Sequence, residues 1–322
     1  MTRRQDWLLL VAAALGIAML AWWLVERGPL RQAENWVADL RVALATPRQS
    51  PRDDVVLLTI TEDTLRLFPY RSPVNRAFLT QLVTDLNRKG ARAIGLDILF
   101  DRPTEPAADQ ALARALRDSA APVVVAYADG EHLTPEQQGY LDRFTSDLRR
   151  GYANLPMDNV DGVIRKLFPG RIAPDGRFAP GFAVALAGAA PPDAEIPLRY
   201  RGLAPDVAAD DLGSAFRHYP AHLANALPAA WLAGKIVLVG AELPMSGDDM
   251  RKTPFAALLG NQKGQMPGVM IQAHALAQLL EGRHLPVLPP WQVLGLYFAA
   301  AALGVALNRL YIPDWVRLGL AI

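Results

Sequence analysis

Two long apolar runs frame this chain, and between them short apolar blocks alternate with stretches whose apolar residues recur at helical spacing. The first run, "WLLLVAAALGIAMLAWWLV" from Trp7 to Val25, goes about 19 residues without a charge. At about 1.5 Å of rise per residue, such a helix nearly spans a hydrocarbon core of roughly 30 Å. Trp22 and Trp23 sit where an interfacial aromatic belt belongs. A cleaved signal peptide shares the positive start and apolar centre, but Met19 and Trp22 spoil a small-x-small cleavage site. The run is therefore expected to stay as a membrane anchor over 7–25, with Arg3 and Arg4 holding a tail of residues 1–6 in the cytoplasm. The second run, "WQVLGLYFAAAALGVAL", follows Pro289 and Pro290 and is closed by Arg309, which predicts a returning span over 291–308. The final "WVRLGLAI", Trp315 to Ile322, is too short to cross a bilayer. It reads either as an interfacial segment or, the reading preferred because Pro313 and Asp314 make a helix start, as the beginning of a third span over 314–322.

Everything between the spans, residues 26–288, then forms one extracytoplasmic domain. It opens with a juxtamembrane helix within 26–50, where Ala33, Trp36, Val37, Leu40 and Leu44 share one face. That face either packs on its own domain or continues the first span as a stalk that pairs with a second copy. Beyond it, "VVLLTI", "RAIGLDI", "PVVVAY" and "KIVLVGA" read as strands, whereas "NRAFLTQLVTDLNRKG", "DQALARALRD", "FAVALA" and "GVMIQAHALAQLLEG" carry helical periodicity. "GVIRKL" and "IPLRYRG" are further apolar segments, and "GEHLTPEQQG" and "GLAPDVAADDLG" read as polar loops. Short, continuous apolar strands alternating with helices predict an α/β fold, a mixed and mostly parallel sheet with helices on both faces.

Composition narrows the chemistry. With 33 basic and 32 acidic residues, bulk charge offers nothing to nucleic acid. The absence of cysteine removes disulfides, cysteinyl zinc and thiol catalysis, and suits an oxidising compartment. "GKIVLVGAELPMSGDDMRKTPF" has a strand, Gly240 and an acidic loop with Gly247, Asp248 and Asp249, but Gly234 and Lys235 precede the strand and the glycine spacing fits neither nucleotide fingerprint. "MDNVDGV" fails as a calcium loop, because Met157 and Phe168 fall at ligand positions. His218 and His222 have zinc-like spacing, yet Pro220 between them denies a shared helical face. No metal site and no catalytic residue is expected in these 322 residues. Acidic residues gather near strand ends: Glu62 and Asp63 after the first, Asp97 and Asp101 at the second, Glu242 after the last. Ligands of open α/β sheets sit at the carboxyl ends of strands, so these groups could line a ligand site with Arg165 as counter-charge. The alternative is that they are helix caps and loop ion pairs, worth little energetically.

Several stretches follow one another in a familiar order: "ENWVADLRVAL", "DDVVLLTITEDTL", "GARAIGLDILFDRP", "DQALARAL", "GYANLPMDNVDGVIRKLFP", "IPLRYRG", "LAGKIVLVGAELPMSGDDMRKTPF" and "MPGVMIQAHALAQLLEG". From about Glu34 to Gly282 this order resembles the CHASE type-2 family, extracellular sensory domains associated with cyclases and histidine kinases. The loop after Gly240 resembles that family's Gly-Ala-acid-Thr-Pro segment, which is structural framing for a sensor. The chain departs from the family pattern in "LFPYRSPVNR" and in the greater length of the loop after Gly240, so ligand contacts there do not transfer.

The resemblance implies one span before the sensor and several after it, leading to a cytoplasmic adenylate or guanylate cyclase, or secondly a kinase, beyond this chain. ATP and Mg²⁺ are expected only for that output domain, and no cofactor for this chain. It further implies a homodimer in the bacterial inner membrane, in contact with lipid, facing a periplasmic small-molecule or protein stimulus and no nucleic acid. Two rival functions stand beside it. One is a stand-alone anchored envelope protein that recognises a partner without catalytic output. The other is a periplasmic hydrolase using Asp97.

Overall fold

The computed structural model describes residues 3–26, 30–130, 133–173, 176–191, 196–208, 210–243, 249–282 and 288–311. The segment 314–322, Gly247 and Asp248 lie outside them. The chain divides into two units, Met1–Ala38 with Pro286–Ile322, and Asp39–Leu285.

At its N-terminus the chain forms α1 (Arg3–Glu26), then α2 (Arg31–Ala45), an amphipathic helix within 26–50 as expected. The second unit begins within α2 and is built on β1 (Arg52–Ile60), α3 (Glu62–Leu65), α4 (Arg76–Arg88), β2 (Ala93–Asp97), α5 (Pro106–Arg117) and β3 (Val123–Tyr127). It continues through α6 (Pro135–Phe144), β4 (Arg149–Tyr152), β5 (Lys166–Leu167), β6 (Gly170–Ile172), β7 (Phe178–Pro180), α7 (Phe182–Ala187) and β8 (Ile196–Pro197). It ends with β9 (Phe216–Pro220), β10 (Ile236–Ala241), β11 (Met250–Lys252), α8 (Ala256–Leu259), β12 (Gln265–Pro267) and α9 (Gly268–Leu280).

Six strands form one sheet in the order β4-β3-β2-β10-β1-β9, and every pairing in it is parallel. The antiparallel pairs, β5 with β8, β6 with β7 and β11 with β12, are separate two-stranded ribbons. Val55 to Leu58 and Ile60 are at most 1% exposed, because a parallel sheet is covered on both faces. Alternate residues supply the two faces. Val56, Leu58, Ile94, Leu96, Val125, Val237 and Val239 meet Leu79, Leu82 and Leu86 of α4, Leu112 and Leu116 of α5, and Leu141 of α6. Val55, Leu57, Val124, Ile236 and Leu238 meet Phe182 and Val184 of α7 and Val269, Ile271, Ala273 and Leu276 of α9.

The α6 helix occupies part of the "GEHLTPEQQG" stretch that reads as a loop. Its start is a capping box, in which Thr134 accepts from the Gln137 N–H and Gln137 accepts from the Thr134 N–H, with Pro at the first helical turn. Burial of Leu141 then holds it on the sheet. The two edge strands of the sheet, β4 and β9, are also absent from the sequence reading, as are the short elements α3, β6, β7, β11, α8 and β12; β4 buries only Gly151 and Tyr152. Strand β9 buries only Phe216, so neither edge shows an apolar block.

The last described element is α10 (Pro290–Tyr311), which packs alongside α1 within their own unit. Ala14 and Ala18, one turn apart, are the residues of α1 buried among those described. Small residues at that spacing let two helix backbones approach closely. By length and composition, Pro290–Leu307 is the one described helix suited to crossing a membrane, and the apolar stretch of α1, Leu10–Leu24, is shorter.

Candidate functional site

The carboxyl ends of β1, β2 and β10 converge where α9 begins. In register, Asp97 at the end of β2 lies beside Gly240 of β10, which lies beside Thr59 of β1. Gly240 makes room for the helix: a Cβ there would stand 2.6 Å from the Val269 Cβ and 3.2 Å from the Asp97 Cβ. Beside this close approach lies a cavity of 330 Å³ lined by Ile60, Val74, Ile98, Leu99, Leu155 and Val269, with Asp97, Asp249 and Arg251 as its charged groups. Its volume is at the lower end of the small-molecule range, roughly 300–1,000 Å³.

The charges arrive from two directions. Asp97 is held by the central strand, and Asp249 and Arg251 by the β11–β12 ribbon, docked through the Gly268 N–H donating to the Asp249 carbonyl at 3.1 Å. Burial pushes the Asp97 carboxyl up to about 7, with the nearby Asp249 charge adding to the rise. Among the described residues neither the Asp97 carboxylate nor the Arg251 guanidinium forms a hydrogen bond or ion pair. The α9 helix starts at Gly268 without a side-chain cap, and Gly268 and Val269 lie on the cavity wall.

Of the six residues that the sequence offers as a ligand set, only Asp97 lines this cavity. Glu62 accepts from the Arg71 Nη2 at 2.7 Å, which lowers its pKa. Asp63 pairs with Arg66 at 2.7 Å, both side chains 73% exposed. Asp101 accepts from the Gln137 Nε2 at 2.6 Å and lies 3.7 Å from the Arg102 Nε. Glu242 continues the chain from β10, its N–H donating to the Ile60 carbonyl.

Arg165 is committed elsewhere. Its Nε and Nη2 both donate at 2.7 Å to Asp39 of α2, and its Nη1 and Nη2 donate at 3.0 and 2.7 Å to Asp161. Asp39 is 5% exposed, so this is a mostly buried, doubly bidentate clamp. Burial opposes the Arg165 charge, but the bonds to Asp39 and then Asp161 outweigh it and hold the pKa above its ordinary value. The residue before it is fixed as well: the Ile164 N–H donates to the Lys252 carbonyl of β11 at 3.0 Å, and the Tyr200 hydroxyl donates to the Ile164 carbonyl at 2.8 Å. A short path of bonded groups therefore joins the Arg251–Lys252 strand on the cavity wall to α2.

The histidine pair has no metal geometry. His218 is on β9, and His222 lies beyond Pro220 with its Nδ1 2.8 Å from the Thr64 hydroxyl. Among the described residues no group of His, Asp and Glu could hold a metal ion. Asp249 and Arg251 are the cavity residues that sequence reasoning left out of its ligand set. Their signal was the acidic loop after Gly240, whose failure as a nucleotide site hid its place beside Asp97.

The CHASE2 domain model matches residues 12–306, nearly the whole chain. The chain belongs to the CHASE2 family. No curated protein and no solved structure matches it. CHASE2 is a family of extracellular sensory domains of signalling receptors. Its match here includes most of α1 and α10 as well as the head, so both apolar helices fall within the CHASE2 pattern. Within this CHASE2 head the "KIVLVGAE" strand ends at the cavity, and the segment after it delivers Asp249 and Arg251 to the same place.

Proposed function

We propose that this chain is the extracytoplasmic sensory input and membrane anchor of a bacterial receptor, and that the cavity at the ends of β1, β2 and β10 receives its stimulus. The CHASE2 match across the head and both apolar helices carries this reading. In it, α1 and α10 cross the inner membrane and the head, including α2, faces the periplasm. The exposed Leu15, Ile17, Met19 and Leu20 of α1 and Leu296 and Leu303 of α10 meet lipid. An output domain beyond residue 322, an adenylate or guanylate cyclase before a kinase, responds as a dimer.

The route from stimulus to membrane follows the bonded path. A ligand that engages Arg251 biases β11, the Lys252 carbonyl carries the bias to Ile164, and the Arg165 clamp passes it to Asp39 on α2, which follows α1 in the sequence. Such a route transmits only if the ligand binds two positions of the ribbon with different affinity.

The test has two parts. Alkaline phosphatase, active only after export, is fused at Gly130 and separately after Leu307. Activity at Gly130 and none after Leu307 is expected, and the reverse pattern sinks the receptor reading. Sequencing the gene past codon 322 should then reveal a cyclase or kinase domain in frame.

A further inference from the structure

Two acceptors meet at the start of α9. The helix begins after Pro267 with no side-chain cap, so its first N–H groups depend on acceptors from elsewhere in the chain. One acceptor is engaged: the Asp249 carbonyl takes the Gly268 N–H at 3.1 Å and docks the leading end of the β11–β12 ribbon. The second stands beside it. The Asp97 Oδ2 lies 4.0 Å from where a Cβ on Gly268 would sit, and among the described residues it has no hydrogen-bond or ion-pair partner.

Charge decides which acceptor the helix takes. A neutral carboxyl is a weak cap and leaves the Gly268 N–H to the ribbon. A carboxylate in the same place is a preferred cap, drawn to the positive end of the helix dipole. It also faces the Asp249 side chain, a second carboxylate on the lining, across a mostly apolar space that screens repulsion poorly. Both effects act in one direction, against a docked Asp249. Arg251 is the remaining ionisable group on the lining and belongs to the same strand, β11. The lining from β1, β10, α9, the segment before α4 and those after β2 and β4 carries no other.

Resting on the reading of this cavity as the sensory site, we infer that the stimulus read there is the proton, with Asp97 as the titrating group and the docking of Asp249 on α9 as the event it controls. With Asp97 protonated, the Asp249 carbonyl holds Gly268 and the ribbon is docked. When Asp97 gives its proton to water, its carboxylate caps α9 and Asp249 is released. The change passes along β11 to the Lys252 carbonyl, which holds Ile164 next to the Arg165 clamp on α2. Burial and then the Asp249 charge raise the Asp97 carboxyl to about 7, and Arg251 does not offset them. The docked state, which holds the proton, is therefore favoured below neutrality and lost above it.

The experiment uses the whole chain in lipid nanodiscs beside Asp97→Asn, which stays neutral at every pH. Amide hydrogen exchange is followed in peptides covering 249–252 and 265–270. Taking the ratio of wild type to variant at one pH cancels the intrinsic pH dependence of exchange. The ratio should lie near one at pH 6 and rise about tenfold or more at pH 8, since each unit of pKa difference between the docked and released states is a factor of ten. Peptides of β1 should show no such rise, and they serve as the reference within the wild type if the variant fails to fold. Infrared difference spectra between the same two pH values should show the wild type losing a protonated-carboxyl band, and Asp249→Asn should lose it at lower pH. An exchange ratio that is equal at pH 6 and pH 8 overturns the inference, even where the band shows Asp97 titrating. So does a band that does not change. The phosphatase fusions test the receptor reading without reference to pH, so the two fail separately. An outward-facing head with an unresponsive ribbon loses only the proton switch. A responsive ribbon in a head that faces the cytoplasm loses the sensory role.

Discussion

Two arginines in this head meet opposite fates. Arg165 is matched atom for atom, with two carboxylates bidentate on one guanidinium, in a clamp that ties the α2 helix to the loop before β5. Arg251 lines a cavity with two carboxylates nearby and has no bond among the described residues. Both are partly buried and reside on neighbouring backbone, since Ile164 bonds to Lys252. The difference teaches where this fold spends charge on its own geometry and where it leaves charge for something else. A mostly buried, fully paired guanidinium fixes position, whereas a partly buried one left open is a candidate for binding in the proposed sensory reading.

Breaking the closed cluster should have the largest effect. Arg165→Met strands Asp39 and Asp161, and the loss should be about 3 kcal/mol in urea or thermal unfolding. The double variant Arg165→Met with Asp39→Leu should recover much of it, and no recovery would mean that the clamp is not a coupled unit. Next comes the wall of the open cluster. Gly240→Ala forces α9 off the sheet against Val269 and should cost about 2 kcal/mol.

Asp97→Asn sharpens the contrast through pH. The folded carboxyl titrates at about 7 against an ordinary 3.8, so the folded state binds more protons between those values. Wild-type stability therefore falls as pH rises through that window, and the asparagine variant escapes the fall. The Tm of Asp97→Asn minus that of the wild type should be more positive at pH 8 than at pH 4, and a constant difference would refute the desolvated carboxyl. The smallest effect belongs to the exposed pair: Asp63→Ala should change stability by less than about 0.5 kcal/mol, because both partners are open to water.

The sheet was legible because its central strands are continuous apolar blocks, and β1, β2, β3 and β10 all fall on segments so read. Helices α4, α5 and α9 were legible from spacing. What escaped was held by features without an apolar signature: α6 by its cap, β4 and β9 by edge pairing. The "GVIRKL" and "IPLRYRG" segments contribute only the two-residue strands β5 and β8, since their apolar residues, Ile164, Leu167, Leu198 and Tyr200, pack among irregular backbone.

At the site, Asp97 could be found because strand ends gather ligands in such sheets. The place of Arg165 could not, because its partner Asp39 is 126 residues away and nothing local marks the pair. Asp249 and Arg251 reach the cavity by folding of a ribbon, a tertiary event that spacing along the chain does not encode.

The outermost strand of the sheet has one more consequence. β9 is five residues long, places Arg217 and His218 outward, and ends in Pro220, which has no amide hydrogen to offer. Such a border resists annealing to a like border. Two copies brought edge to edge at β9 would thus meet without knitting into a continuous sheet.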